Sequence, residues 1–134
     1  MLTRYNSKKS SRVIIIQKLY SKFYNQEENI VFSKHRFKKF IKDVVNGTIE
    51  RDEIIEEEIK KHLYQDLKLI NLDKVFQVII KGATFEFLYK TKISRKIIIK
   101  EYLNVSNFFL KDSQTKYLNA LLDKISKKIR ISDA

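Results

Sequence analysis

A chain of 134 residues with no proline and only two glycines, Gly47 and Gly82, has few means of reversing direction sharply. Strands joined by hairpins call for Gly, Pro, Asn-Gly or Asp-Gly at their turns. Long helices with short connections need far fewer. The composition therefore points to an all-α fold. At 43% apolar residues the chain can bury a core, and with no cysteine that core has no disulfide support and no thiolate zinc site. A single domain over residues 1–134 is expected at this length.

Periodicity divides the chain into six or seven helices. Residues 1–7 read as a flexible basic arm and 131–134 as a loose tail. A first helix over Lys8–Gln26 places Ile15, Ile16, Leu19 and Phe23 on one face. A second, capped by Ser33, runs over Lys34–Asn46 and ends at Asn46-Gly47. Thr48 caps a third, with Glu50, Asp52 and Glu53 in its first turn and Glu56-Lys60 and Glu57-Lys61 as candidate pairs. Leu67, Leu69 and Ile70 suggest a short packed turn. Asn71 then caps a strongly apolar helix over Leu72–Tyr89, the natural centre of the fold. Gly82 within it costs about 1 kcal/mol against Ala unless another helix crosses closely there. Ser94 caps Arg95–Phe109, and Ser113 caps Gln114–Ile129, with Lys124, Lys127, Lys128 and Arg130 toward its C-terminal end.

The formal charge is +12 and the pI about 9.8, which favours an anionic partner. The most suggestive cluster opens the first helix, where Lys8, Lys9 and Arg12 stand three and four residues apart and can face one side. Such groups neutralise phosphates, and tyrosines such as Tyr20 and Tyr117 can stack on unpaired bases. No apolar run approaches the roughly 20 residues of a membrane span, and no signal-peptide pattern opens the chain, so a cytoplasmic protein is expected. Catalytic signals are sparse. Neither GxGxxG nor a P-loop occurs. His35 and His62 lack ligand spacing, so no metal or cofactor is expected. Glu86 and Glu101, each set in an apolar helix, are read as partners of basic groups or helix ends rather than as acid-base catalysts.

Four stretches carry a resemblance. They are Ser11-Arg12 through Gln17-Lys18-Leu19-Tyr20, Ile80–Phe87, Ile98–Tyr102, and Lys116–Ile125. In this order they resemble the NusB family of bacterial transcription antitermination factors over nearly the whole chain. The resemblance implies two packed three-helix bundles and a non-enzymatic role. It also implies pairing with the ribosomal protein NusE, binding of boxA RNA in nascent ribosomal RNA transcripts, and action in an antitermination complex with RNA polymerase. Carried over, the RNA-binding residues are Lys8, Lys9 and Arg12, with Lys116 and Tyr117 from the last helix. Departures are evident. Lys8, Lys9 and Ser10 stand where the family has an arginine run, and lysine keeps the charge without the planar fork. Lys100 replaces Asn and Ala120 replaces Gly. Two alternatives remain open. One is a ribosomal-RNA-binding module like that preceding certain rRNA methyltransferases. The other is a peripheral membrane protein using the basic first helix. A homodimer of the free protein is also open.

Overall fold

The apolar periodicity is realised as six α-helices among the described residues, which in this computed structural model are 10–25, 29–63 and 68–131. They are α1 (Ser11–Tyr24), α2 (Lys38–Glu50), α3 (Asp52–Lys60), α4 (Lys74–Tyr89), α5 (Arg95–Phe109) and α6 (Asp112–Ile129). A 3-10 turn, Leu69–Asn71, precedes α4 and buries Leu69, while Ile70 stays in solvent. Lys8, Lys9, the N-terminal arm, Gln26, Leu67 and residues 132–134 lie outside the described residues.

The most apolar helix is the central one. Every residue of α4 from Phe76 to Phe87 is buried, and the helix packs against each of the other five. On one side α1, α2 and α4 form a three-helix bundle, with α3 lying along α4. On the other side α4, α5 and α6 form the second. Gly82 sits where α1 and α5 approach α4. A Cβ there would meet the Tyr102 hydroxyl at 3.2 Å and Leu19 at 3.6 Å, which accounts for a glycine in mid-helix. The packed face of α1 consists of Val13, Ile15, Ile16 and Leu19, so the apolar surface needed for membrane binding is already inside the core. No helix among the described residues is long and apolar enough to cross a membrane.

Several helix boundaries differ from expectation. α2 runs straight through Asn46-Gly47 and ends at Glu50. Gly47 is not a stop signal but a space requirement, because a Cβ there would lie 2.3 Å from the Phe85 ring. Thr48 does not cap a helix; its buried hydroxyl donates to the Val44 carbonyl at 2.6 Å. The break between α2 and α3 falls instead at Arg51. α2 itself starts at Lys38, four residues later than Ser33 suggested. Asp73 rather than Asn71 caps α4, its carboxylate accepting from the Val75 and Phe76 amides at 2.9 and 3.2 Å. Ser94 caps α5 as expected, accepting from the Ile97 amide. α6 starts at Asp112, where the Gln114 side chain accepts from the Lys111 amide at 2.9 Å, so Ser113 lies within the helix. On α3, Lys60 reaches Glu56 as expected, whereas Lys61 pairs with Glu58 in place of Glu57.

Candidate nucleic-acid interface

The start of α1 is set by Ser10, whose hydroxyl accepts from the Val13 amide at 3.4 Å. One turn in, Arg12 does not project outward. Its guanidinium grips the Glu86 carboxylate in a two-pronged contact, Nε to Oε2 at 3.1 Å and Nη2 to Oε1 at 2.6 Å. Its Nη1 lies 3.7 Å from Glu101, and the group stands 4.9 Å above the Phe40 ring. The Arg12 side chain is only 12% exposed and Glu86 is fully buried. Tyr102 donates a short hydrogen bond to Oε2 of the same carboxylate, which it shares with Arg12 Nε. Burial acts to lower the Arg12 pKa, but the hydrogen bonds and charge of Glu86 outweigh it and hold it above its ordinary value. Burial, reinforced by the Glu86 charge, pushes the Tyr102 phenol well above 10. Arg12 was expected beside Lys8 and Lys9 on an outward basic face; the structure turns it inward. The carboxylates Glu86 and Glu101 do serve a basic group, as expected.

Lys116 is exposed on the second turn of α6. Tyr117 is half-buried, its ring stacked on Phe76 at 5.6 Å and 16°. Tyr20 is half-buried too, tilted against Tyr24 at 5.2 Å. Each tyrosine thus has part of its ring taken up by an aromatic neighbour. The first turns of α6 are held to α5 by a Ser106–Thr115 hydroxyl contact at 3.3 Å. Ser106 lies five residues beyond Glu101 on α5, roughly 7 Å along the axis. The Arg12 site and the Lys116 region are thus neighbours along α5, although α1 and α6 each pack chiefly on other helices.

Three sets of polar contacts escaped the sequence reading. Lys81, in the middle of apolar α4, reaches Asp52 at 2.9 Å and Glu56 at 3.1 Å and lies 4.3 Å over the Phe23 ring. Burial acts to lower its pKa, yet the two carboxylates raise it above 10.5. Arg130 reaches beyond its own helix end. It bridges to the end of α4, donating to the carbonyls of Phe87, Glu86 and Lys90 and to Ile93 at 2.7–3.1 Å. Arg95 is held by Asp123 at 2.6 Å and Ser126 at 3.0 Å. The spacing of Asp52 and Glu56, four apart on one helix face, was a readable signal for a buried cation opposite. No comparable signal announced Arg130. An apolar groove of about 350 Å³ lies between α1, the start of α4 and the end of α5, lined by Ile16, Gln17, Tyr20, Ser21, Val75 and Phe109.

The NusB family model matches residues 1–127 of the chain. The chain belongs to the NusB family. Among curated relatives, the transcription antitermination protein NusB of Allorhizobium ampelinum is 27% identical over 69% of this chain and 58% of the relative. That of Coxiella burnetii is 34% identical over 68% of this chain and 64% of the relative. The aligned stretch thus spans less than two thirds of either relative. The fold is similar to NusB of T. maritima (TM-score 0.79, 19% identity, 90% of this chain and 91% of that one). It is also similar to a chain in a crystal structure of the antitermination factors NusB and NusE in complex with dsRNA (TM-score 0.76, 17% identity, 91% and 97%). Three of the four NusB-like stretches converge on one place in the fold. Arg12, Glu86 and the Glu101–Tyr102 pair are the junction where α1, α4 and α5 lock together.

Proposed function

We propose that this protein is an RNA-binding transcription antitermination factor that acts with NusE and recognises the boxA element of nascent ribosomal RNA transcripts. The observation that carries the reading is the NusB family match over residues 1–127. A fold shared with a NusB seen together with NusE and RNA supports it. The role is one of binding, without catalysis. Lys8 and Lys9 supply phosphate contacts at the head of α1. Lys116 adds charge from α6, and Tyr117 packs against a base. Arg12 acts indirectly: by holding Glu86 it fixes the first turn of α1 against α4.

NusE docks in the apolar groove of Ile16, Tyr20, Val75 and Phe109. An unfilled concavity of this kind, with polar Gln17 and Ser21 on its lining, suits an apolar side chain of a protein partner. Joint action of this pair and RNA polymerase in one antitermination complex follows from the same reading.

The decisive experiment is co-purification with NusE from the same organism, followed by boxA RNA binding with and without it. A stable complex that binds boxA more tightly than either protein alone is expected. Failure to form any complex overturns the reading. Recovery of mature ribosomal RNA but not boxA leader RNA would assign the protein to the methyltransferase-like module instead. Within a working complex, Phe109→Asp should abolish NusE retention. Lys8→Ala with Lys9→Ala should lower the salt-dependence slope by about 0.7 per lost phosphate contact.

A further inference from the structure

The segment from Asn29 to Lys42 contains five Lys or Arg residues and no Asp or Glu. It enters α2 along the flank of α1. Together they form a concavity of about 290 Å³ lined on one side by Ile14, Gln17 and Lys18 and on the other by Phe32, Ser33, Lys34, His35, Lys38 and Ile41. Most cations described above are bound to a carboxylate or a carbonyl. Here the opposite holds: among the described residues no carboxylate pairs with Lys18, Lys34 or Lys38. α2 also begins without a side-chain cap and with no acid in its first turn, so its positive end adds to the field of the lysines. Gln17 and Ser33 bring neutral donors to the same hollow. Beside it Phe37 is 50% exposed, with the Arg36 guanidinium 5.3 Å over its ring and the His35 ring 6.1 Å away.

Three like charges converging on one hollow repel one another unless an anion joins them. The floor, Ile14 and Ile41, is apolar and fits no ion by itself, but it fits the sugar of a nucleotide whose phosphate meets the lysines. An exposed ring backed by a guanidinium is the arrangement on which an unpaired base stacks.

We propose that the α1–α2 concavity is a second RNA-contact site, in which Lys18, Lys34 and Lys38 hold a backbone phosphate and Phe37 stacks on an adjacent unpaired base. This rests on the RNA-binding reading above and deepens it. The RNA path extends across α1 onto the α2 side, beyond the Lys8–Lys9 and Lys116 contacts.

The test uses the full chain and a labelled single-stranded uridine-rich oligonucleotide, titrated at several salt concentrations. The variants are Lys18→Ala/Lys34→Ala/Lys38→Ala, Phe37→Leu, and a same-charge control, Lys60→Ala/Lys61→Ala/Lys68→Ala. The lysine variant should lower the slope of log K against log salt by about 0.7, the loss of one single-strand phosphate contact. Phe37→Leu should weaken binding roughly tenfold with the slope unchanged, as loss of a stacked base does. The control should change neither. Wild-type binding that survives the lysine variant with its slope intact overturns this site and leaves the RNA-binding role standing. Chemical-shift perturbation by the same oligonucleotide reads the site directly. Shifts that avoid Lys18, Lys34, Phe37 and Lys38 overturn it even where affinity is too weak to titrate. Binding of the same lysines to phosphatidylglycerol vesicles but not to the oligonucleotide would overturn it in favour of a lipid headgroup.

Discussion

The head of α1 and the entry to α2 are both basic in sequence, and the fold treats them in opposite ways. At the head of α1, Arg12 is drawn inward because Glu86 and Glu101, from two other helices, stand within reach. At the entry to α2 no carboxylate among the described residues pairs with Lys34, Arg36, Lys38 or Lys39, and all four are exposed. Both regions are basic and both stand at the start of a helix. What differs is whether the fold brings up a carboxylate. A basic cluster thus becomes structural or available according to residues far away in the sequence.

The sharpest way to break this contrast is to remove one member of the buried pair. Arg12→Met strands a fully buried carboxylate, and Glu86→Leu leaves a nearly buried guanidinium with only the looser Glu101 contact at 3.7 Å. Each should cost about 3–5 kcal/mol in urea unfolding. The double variant should cost less than either single one, since no lone charge remains. Additive losses would show that the two side chains do not act as a pair. Gly47→Ala tests packing on the same side of the molecule. In an ordinary helix interior the change gains about 1 kcal/mol. Here the new methyl group collides with the Phe85 ring, and a loss of about 1–3 kcal/mol is expected in the same assay.

Next in size is an alkaline effect. The Tyr102 phenol is raised above 10, so between pH 10 and its folded value the unfolded chain has released a proton that the folded one retains. Stability is therefore complete below pH 10 and falls above it, by up to about 1.4 kcal/mol per pH unit for this one group. Lys81 acts in the same direction above 10.5. Tyr102→Phe should flatten the decline measured by thermal unfolding across that range, and an unchanged slope would remove Tyr102 as its source. The smallest effect belongs to the other region. Replacing Lys34 and Lys38 with Ala should change stability by less than about 0.5 kcal/mol while altering RNA affinity. A large stability loss there would mean that these lysines, too, are structural.

Much of the fold was legible because its signal is local. The apolar run of α4, the Ser94 cap and the crossing at Gly82 follow from periodicity and from side-chain chemistry within a turn or two. The boundaries that failed were decided at long range. Asn46-Gly47 looks like a helix end, yet the glycine is required by a phenylalanine 38 positions later. Asn71 and Asp73 are both good caps, and only the preceding 3-10 turn selects the second. The candidate site was less legible for the same reason. Charge at Lys8, Lys9 and Arg12 is visible in the sequence, but the inward turn of Arg12 depends on residues 74 and 89 positions away. The availability of Lys34 and Lys38 likewise depends on the fold, which among the described residues pairs no carboxylate with either.

The contact made by Arg130 carries a consequence for how the protein is made. The last carbonyls of α4 and the turn into α5 are closed by a side chain about forty positions downstream. On the ribosome, the central helix is synthesised long before the residue that finishes its end. The hydrogen bonds that close that end can form only once residue 130 has been made. The helix at the middle of the fold thus depends for its C-terminal end on a residue at the far end of α6.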